Sequence, residues 1–247
     1  MLSGMRSGVA ESELSTLAEQ VRPATLARDQ RLPVLDAFEE LLPGAGLRRG
    51  ATVSISAAPG VGGGTSLAMA LVAEASRAGS WVAAVGLASL GLVAADELGV
   101  ALERLVLVAA PQRDGWGGVL AALIDGFDLV ILHPGHGGVR PTDARRLVAR
   151  ARERGSVLVQ LGPGWPDGAD LALEVTHARW EGLDGGHGHL RARKVRVVRR
   201  GRGEAAQPRT ADLWLPAVGG SVEVATASAR VALDGPAAPV TPLRAVS

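Results

Sequence analysis

The chain has 247 residues, 47% of them hydrophobic and 21% charged, which suits one medium domain with its own core and excludes a largely disordered polymer. It contains no cysteine, so thiol catalysis, disulfides and cysteine-held zinc are excluded. The formal net charge of +1 gives no global field for nucleic acid, so any basic contact must be local.

No apolar run reaches the roughly 18–20 uncharged residues of a membrane span. The best stretch, 119–132, is interrupted by Asp125 and Asp128. The first fifteen residues, MLSGMRSGVAESELS, lack the apolar segment of a secretory signal. A cytoplasmic protein with no membrane partner is expected. Lys194 is the single lysine, so any chemistry that needs an amine must use it.

In chain order, residues 11–21 place Leu14, Leu17 and Val21 at helical spacing, and Pro23 ends that helix. Residues 34–42 (VLDAFEELL) read as a second short amphipathic helix, stopped by Pro43 and Gly44. Strand and helix then alternate. Strands are predicted at 52–56, 81–85, 105–108, 129–132 and 156–161. Helices are predicted at 65–77, around 93–98, and at 117–124 and 142–154. The uninterrupted apolar run at 129–132 is of the kind buried in a parallel sheet. After residue 161 the pattern changes: 171–180, 190–200 and 212–215 read as strands joined by glycine-rich links, hence antiparallel. This divides the chain into an N-terminal helical arm (1–32), an α/β core (33–218) and a tail (219–247), the last expected to be flexible or ordered by a partner.

Residues 57–66 (AAPGVGGGTS) lie between a predicted strand and helix, where backbone N–H groups and a helix N-terminus can hold phosphate. The phosphate-loop pattern G-x-x-x-x-G-K-[ST] aligns with Gly63 and Thr65, but Ala58 stands at its first glycine and Gly64 at its lysine. A dinucleotide pattern fails too, since Thr65 occupies the third glycine and no acid follows the next strand.

Residues 42–50 (LPGAGLRRG), the strand after them and the loop ending GGGTSLA (62–68) resemble the opening of the RecA core. ELGV (97–100) before LVLVAAP (105–111), and RKVRVVRR (193–200), are similar to later strands of that core. In this order the likeness covers residues 33–216. It implies a RecA-like fold: a mostly parallel twisted sheet flanked by helices, with antiparallel strands at its C-terminal end. The resemblance places His133 where the Walker B acid belongs and Leu87 at the catalytic glutamate, while Gln160 matches the glutamine that senses the γ-phosphate. The two DNA-binding loops of RecA appear shortened to 135–140 and 163–168.

A RecA-like core lacking lysine, Walker B acid and catalytic glutamate resembles the actinobacterial branch of the ImuA-type mutasome proteins. That resemblance implies a non-catalytic pseudo-ATPase, without cofactor or metal, in damage-induced mutagenic translesion DNA synthesis within the SOS response. Its implied partner is ImuB, a polymerase-like Y-family homologue, and through ImuB an error-prone replicative-type polymerase. The N-terminal arm corresponds in place to the segment through which RecA subunits join, which implies self-association. Two alternatives stand beside it: a RecA-type ATPase or recombinase paralogue with unorthodox residues, and a SulA-like inhibitor of cell division.

The strongest charge run, 191–202, offers Arg191, Arg193, Lys194, Arg196, Arg199, Arg200 and Arg202 to weak DNA binding or an acidic partner; the plainer reading is a solvated edge strand. The helix at 142–154 carries Arg145, Arg146, Arg150, Arg152 and Arg154 on an expected solvated face. Among the tryptophans, Trp165 is expected to be exposed and able to stack on a base, and Trp116, Trp180 and Trp214 to pack the core. The pairs His133/His136 and His187/His189 have no carboxylate at metal-ligand spacing and are read as loop histidines.

Overall fold

The computed structural model describes residues 31–225, apart from 112–114, 136–138, 163 and 185–186. The predicted helix at 11–21, His136 and the tail beyond residue 225 lie outside the described residues.

The chain enters as a small antiparallel pair, β1 (Arg31–Pro33) and β2 (Gly46–Arg48). The core then runs β3 (Thr52–Ala57), α1 (Gly64–Arg77), β4 (Val82–Val85), α2 (Leu92–Glu97) and β5 (Leu105–Val108). It continues with α3 (Trp116–Gly126), β6 (Leu129–Leu132), α4 (Pro141–Arg154) and β7 (Val157–Leu161). Four strands complete it: β8 (Leu171–Asp184), β9 (His187–Gly201), β10 (Arg209–Trp214) and β11 (Glu223–Val224). The large sheet has the order β11-β10-β9-β8-β3-β7-β6-β4-β5. Strands β8, β3, β7, β6, β4 and β5 are mutually parallel, and β9 to β11 are added antiparallel beyond β8. The molecule is therefore α/β, with a large, mostly parallel sheet finished by antiparallel strands.

Alternation along the strands sorts side chains between two apolar layers. Val53, Ile55, Ile131 and Val159 join α1, α2 and the 31–47 segment on one face. Val85, Val130, Leu132 and Leu158 pack with α3 and α4 on the other. Because both faces are covered, these strands read in sequence as continuous apolar runs.

Helix α1 is buried almost all round, from Leu67 to Ala73 without a break. Its alanines allow that close packing. The entry of β8 is fixed to the start of β3 by Asp170, whose carboxylate accepts from the Thr52 amide (2.9 Å) and hydroxyl (3.0 Å). The Asp170 amide in turn donates to the Thr52 hydroxyl at 3.0 Å, so the register of this pair is held by side chains as well as by the ladder.

Three expectations are corrected. Residues 34–42 do not form an amphipathic helix: a 3-10 turn at Asp36–Phe38 carries the chain, and Leu41 and Leu42 both donate to the Phe38 carbonyl. Prolines 33 and 43 leave too few residues for a stable helix, and the apolar side chains Val34, Phe38, Leu41 and Leu42 are buried from the turn instead. The basic run lies on β9, which is an interior strand between β8 and β10, not an edge. The first residues of the expected tail are tied in, because β11 pairs with β10 through Leu213↔Val224.

Phe38 is fully buried in the layer that also holds α1. Phe38→Ala is expected to cost about 3–5 kcal/mol, read as a lower urea midpoint at unchanged slope. A loss under about 1 kcal/mol would mean that the 31–47 segment is not part of the cooperative core.

Candidate functional site

The carboxyl ends of parallel strands leave a crevice where ligands commonly bind. Here the ends of β3, β6 and β7 open into a cleft of about 490 Å³ lined by Ser56, Gly62, Gly63, Gly64, Thr65 and His133, among others. The loop that forms one wall starts at Ala58, whose amide donates to the Val175 carbonyl of β8 at 2.9 Å. It is closed by Val61 donating to the Ala58 carbonyl at 3.0 Å. Gly60, Gly62 and Gly63 all have positive φ (77°, 67° and 94°), a conformation that a side chain strains. Gly63 is the N-cap of α1 and, having no side chain, leaves the first-turn amides uncapped.

Neither a lysine nor an acid stands at the three positions where the resemblance expects one. Gly64 opens α1, at the position where the resemblance expects a phosphate-clamping lysine. His133 follows β6, is exposed and lines the cleft; its amide donates to the Val85 carbonyl at 3.0 Å. Leu87, at 9% exposure, belongs to the core. Gln160 is buried on β7 beside Ser54 and Leu132. Thr65 keeps an exposed hydroxyl at the mouth. Gly86 is required by geometry, since a Cβ there would stand 2.6 Å from the His133 carbonyl oxygen. Asp128 cannot serve as the missing acid: it precedes β6 at the opposite end and accepts from Arg49 (2.8 Å) and the Trp81 amide (3.0 Å). Among the described residues, no cluster of three or more His, Asp or Glu side chains is placed to hold a metal ion.

The basic run does not form one surface. Arg193, Val195, Val197 and Arg199 are buried, while Lys194, Arg196 and Val198 lie half-buried on the other face. Arg193 donates from Nε to the Leu215 carbonyl at 2.8 Å, and Arg199 donates to the Gln207 carbonyl. Burial pushes both guanidinium pKa values down, with Arg209 adding repulsion at Arg199. Arg196 is paired with Asp212 at 2.8 Å; its hydrogen bond holds that carboxyl below the usual range despite partial burial. Arg200 pairs with Glu174 at 2.8 Å. Arg191 and Arg202 are exposed. The alternation of Val195 and Val197 was the signal that Arg193 and Arg199 share their inward face, and it separates the run into two sets.

Four of the five arginines of α4 are similarly engaged. Arg145 pairs with Asp167 (2.8 Å), Arg154 with Asp125 (3.1 Å) and Arg152 with Asp170 (3.5 Å). Arg150 also bonds Asp125, and that hydrogen bond is the main cause of the lowered Asp125 pKa. The tryptophan expectations are partly reversed. Trp165 is buried at 5% exposure, its indole Nε1 3.4 Å from the Val53 carbonyl oxygen, in the apolar layer that also holds Leu147 and Ala151 of α4. Trp180 is exposed at 44% and Trp116 is buried; Trp214 is half-buried. His189 is exposed on β9, and the His187 side chain lies outside the described residues.

Residues 40–167, more than half of the chain, match the family described as the MT3502 N-terminal domain. The chain is also 42% identical over 103 residues to the uncharacterized protein Rv3395c of Mycobacterium tuberculosis, a stretch covering 42% of this chain and 50% of that relative. It therefore spans about half the length of this curated relative. The match takes in β3, the glycine loop, α1 and the strands whose ends form the cleft. This chain belongs to the MT3502 N-terminal domain family.

Proposed function

We propose that the protein is a non-catalytic, RecA-like adaptor in damage-induced mutagenic translesion synthesis, working through contact with an ImuB-type polymerase homologue. One observation carries this reading. A glycine loop and a helix N-terminus line the cleft, while Gly64, His133 and Leu87 stand where the resemblance expects the lysine, the Walker B acid and the catalytic glutamate. Phosphoryl transfer is catalysed by positioning and charge stabilisation, so a site without clamp, metal ligand and base retains shape without turnover. A mostly parallel sheet continued by antiparallel strands fits the RecA-like expectation. The family match and the uncharacterized mycobacterial relative agree with the actinobacterial ImuA-type branch.

A contact role also needs a surface. β5 is an outer strand of the large sheet, with one side of its backbone unpaired among the described residues. Its Leu107 is 47% exposed, and Leu102, just before it, is 37% exposed. An open, apolar edge is a template for a partner strand. An ImuB-type partner laid along β5 would gain ladder hydrogen bonds and cover Leu107. The arm at 1–30 and the tail beyond 225, also candidates for partner contact, lie outside the described residues.

The purified protein is expected not to hydrolyse ATP, and Gly64→Lys is expected not to restore turnover, since it supplies only the clamp. Magnesium-dependent hydrolysis by the unmodified protein, abolished by Thr65→Ala, overturns this. Leu107→Asp is expected to leave circular dichroism unchanged and to reduce co-purification with an ImuB-type partner. If that variant keeps full co-purification and supports damage-induced mutagenesis in cells, β5 is not the contact. DNA binding is expected to be weak, sequence-independent and steeply reduced by salt, carried by Arg191, Lys194 and Arg202. Replacing those three with glutamine flattens the salt slope; affinity that survives both high salt and the triple change shows another source.

A further inference from the structure

The strands also leave an indentation at their amino ends, at the other end of the sheet from the glycine loop. A cavity of about 270 Å³ opens where β3 and β8 begin, and it shares no lining residue with the cleft. Its floor belongs to the apolar layer that also holds Phe38 and α1: Leu47, Val53, Leu171 and Ala205 line it, and none is more than 7% exposed. Its rim is charged. Arg31 and Arg48 stand directly opposite each other on the antiparallel pair β1–β2, and both line the cavity. Like charges in that register repel, so the pair calls for negative charge close by. Arg31 has it, donating to the Glu204 carboxylate and to the Pro43 carbonyl. Arg48 does not. The carboxylate it meets, Asp170, lies 3.9 Å away, beyond hydrogen-bond reach. Asp170 is already bonded twice by Thr52 and stands 3.5 Å from Arg152.

A third guanidinium completes the rim. Arg202 follows β9, and its amide donates to the Asp170 carbonyl at 3.0 Å. Its side chain packs on Gly168, where a Cβ would stand 2.5 Å from Nη2. The Arg202 side chain makes no hydrogen bond or ion pair with the described residues, and nearby Asp167 is taken by Arg145 through two hydrogen bonds. The lining therefore sets three arginines against two carboxylates, Asp170 and Glu204, a surplus of one positive charge above an apolar floor. An apolar hollow with a few convergent polar groups is the usual form of a small-molecule site. We propose that this cavity binds a small apolar monocarboxylate, its tail on Leu47, Val53 and Leu171 and its carboxylate between Arg48 and Arg202. A planar carboxylate suits the guanidinium fork, which can hold both oxygens at once. The surplus of one charge matches a monoanion, while the two acids in the lining disfavour a phosphate dianion.

The test titrates the full chain with octanoate by calorimetry and follows thermal melting. Octanoate is expected to bind with a Kd of about 1 mM or tighter and to raise the melting temperature, as a ligand of the native state does. From butyrate upwards, affinity should rise about fourfold per methylene, because each added group leaves water for the floor, and level off once the cavity is full. Octylamine, the same tail with the opposite charge, and inorganic phosphate, a charge without a tail, should not bind at these concentrations. Arg48→Gln and Arg202→Gln should each weaken octanoate about tenfold or more, the loss of one charge-assisted partner. Both arginines are exposed, and Arg48→Gln removes the repulsion across β1 and β2, so the unliganded variant should melt no lower than the parent. A purely structural role for Arg48 gives the reverse, a lower melting temperature with unchanged affinity. Arg146→Gln, an exposed arginine on α4 outside the cavity, should change nothing. The ligand series uses the unmodified chain, so it decides even where a substitution unfolds the protein. The proposal is overturned if octanoate does not bind at millimolar concentration, if octylamine binds as tightly, or if neither Arg48→Gln nor Arg202→Gln weakens octanoate more than Arg146→Gln does.

Discussion

Helix α1 constrains everything around the cleft. A helix buried from Leu67 to Ala73 cannot tilt or slide without opening the core, so its first turn is fixed relative to β3. The connection between them must then reverse direction within a few residues, starting from Ala58, which is itself tied to β8. Such a reversal needs left-handed backbone, and the three positive-φ glycines provide it. Loop shape is thus a consequence of packing. It persists whatever occupies positions 64, 87 and 133, so a glycine loop of this shape stands without a lysine or an acid at any of them.

Charge elsewhere follows the same logic of position before composition. Arginine supplies nearly all the positive charge, and a stretch such as 191–202 reads as one basic feature. A strand cannot present its residues to one side. Two arginines are drawn in with Val195 and Val197, and their guanidinium groups must then find carbonyls in place of water. Arg196 and Arg200, on the opposite side, meet Asp212 and Glu174. On α4 the arginines meet Asp125, Asp167 and Asp170. Among the described residues, much of the positive charge on β9 and α4 is met by a carboxylate close by.

The parallel core was legible because burial on both faces leaves a simple mark: β5 and β6 occur where apolar runs at 105–108 and 129–132 predict them. The loop was legible as well, through its glycines. What could not be read locally depended on long-range packing. The apolar residues of 34–42 satisfy helical spacing, yet a 3-10 turn buries them equally well against α1 and β3. Trp165 sits between prolines in a loop, a context that suggests exposure; α4 and Val53 enclose it. The interior place of β9 required β10 and β11 on its far side, and β11 has only two residues.

The relation between β9 and the loop was hidden for a further reason. Gly63 and Arg193 are far apart in sequence, and neither belongs to a motif that names the other. Their contact arises because β8 places β9 next but one to β3, so an inward side chain near the middle of β9 reaches the loop that leaves β3. A glycine chosen for its backbone conformation then also makes room for a guanidinium. Position 64 is neutral, and a guanidinium packs against the neighbouring Gly63 from across the sheet. A motif scan along the chain registers the missing lysine and has no means of registering this contact.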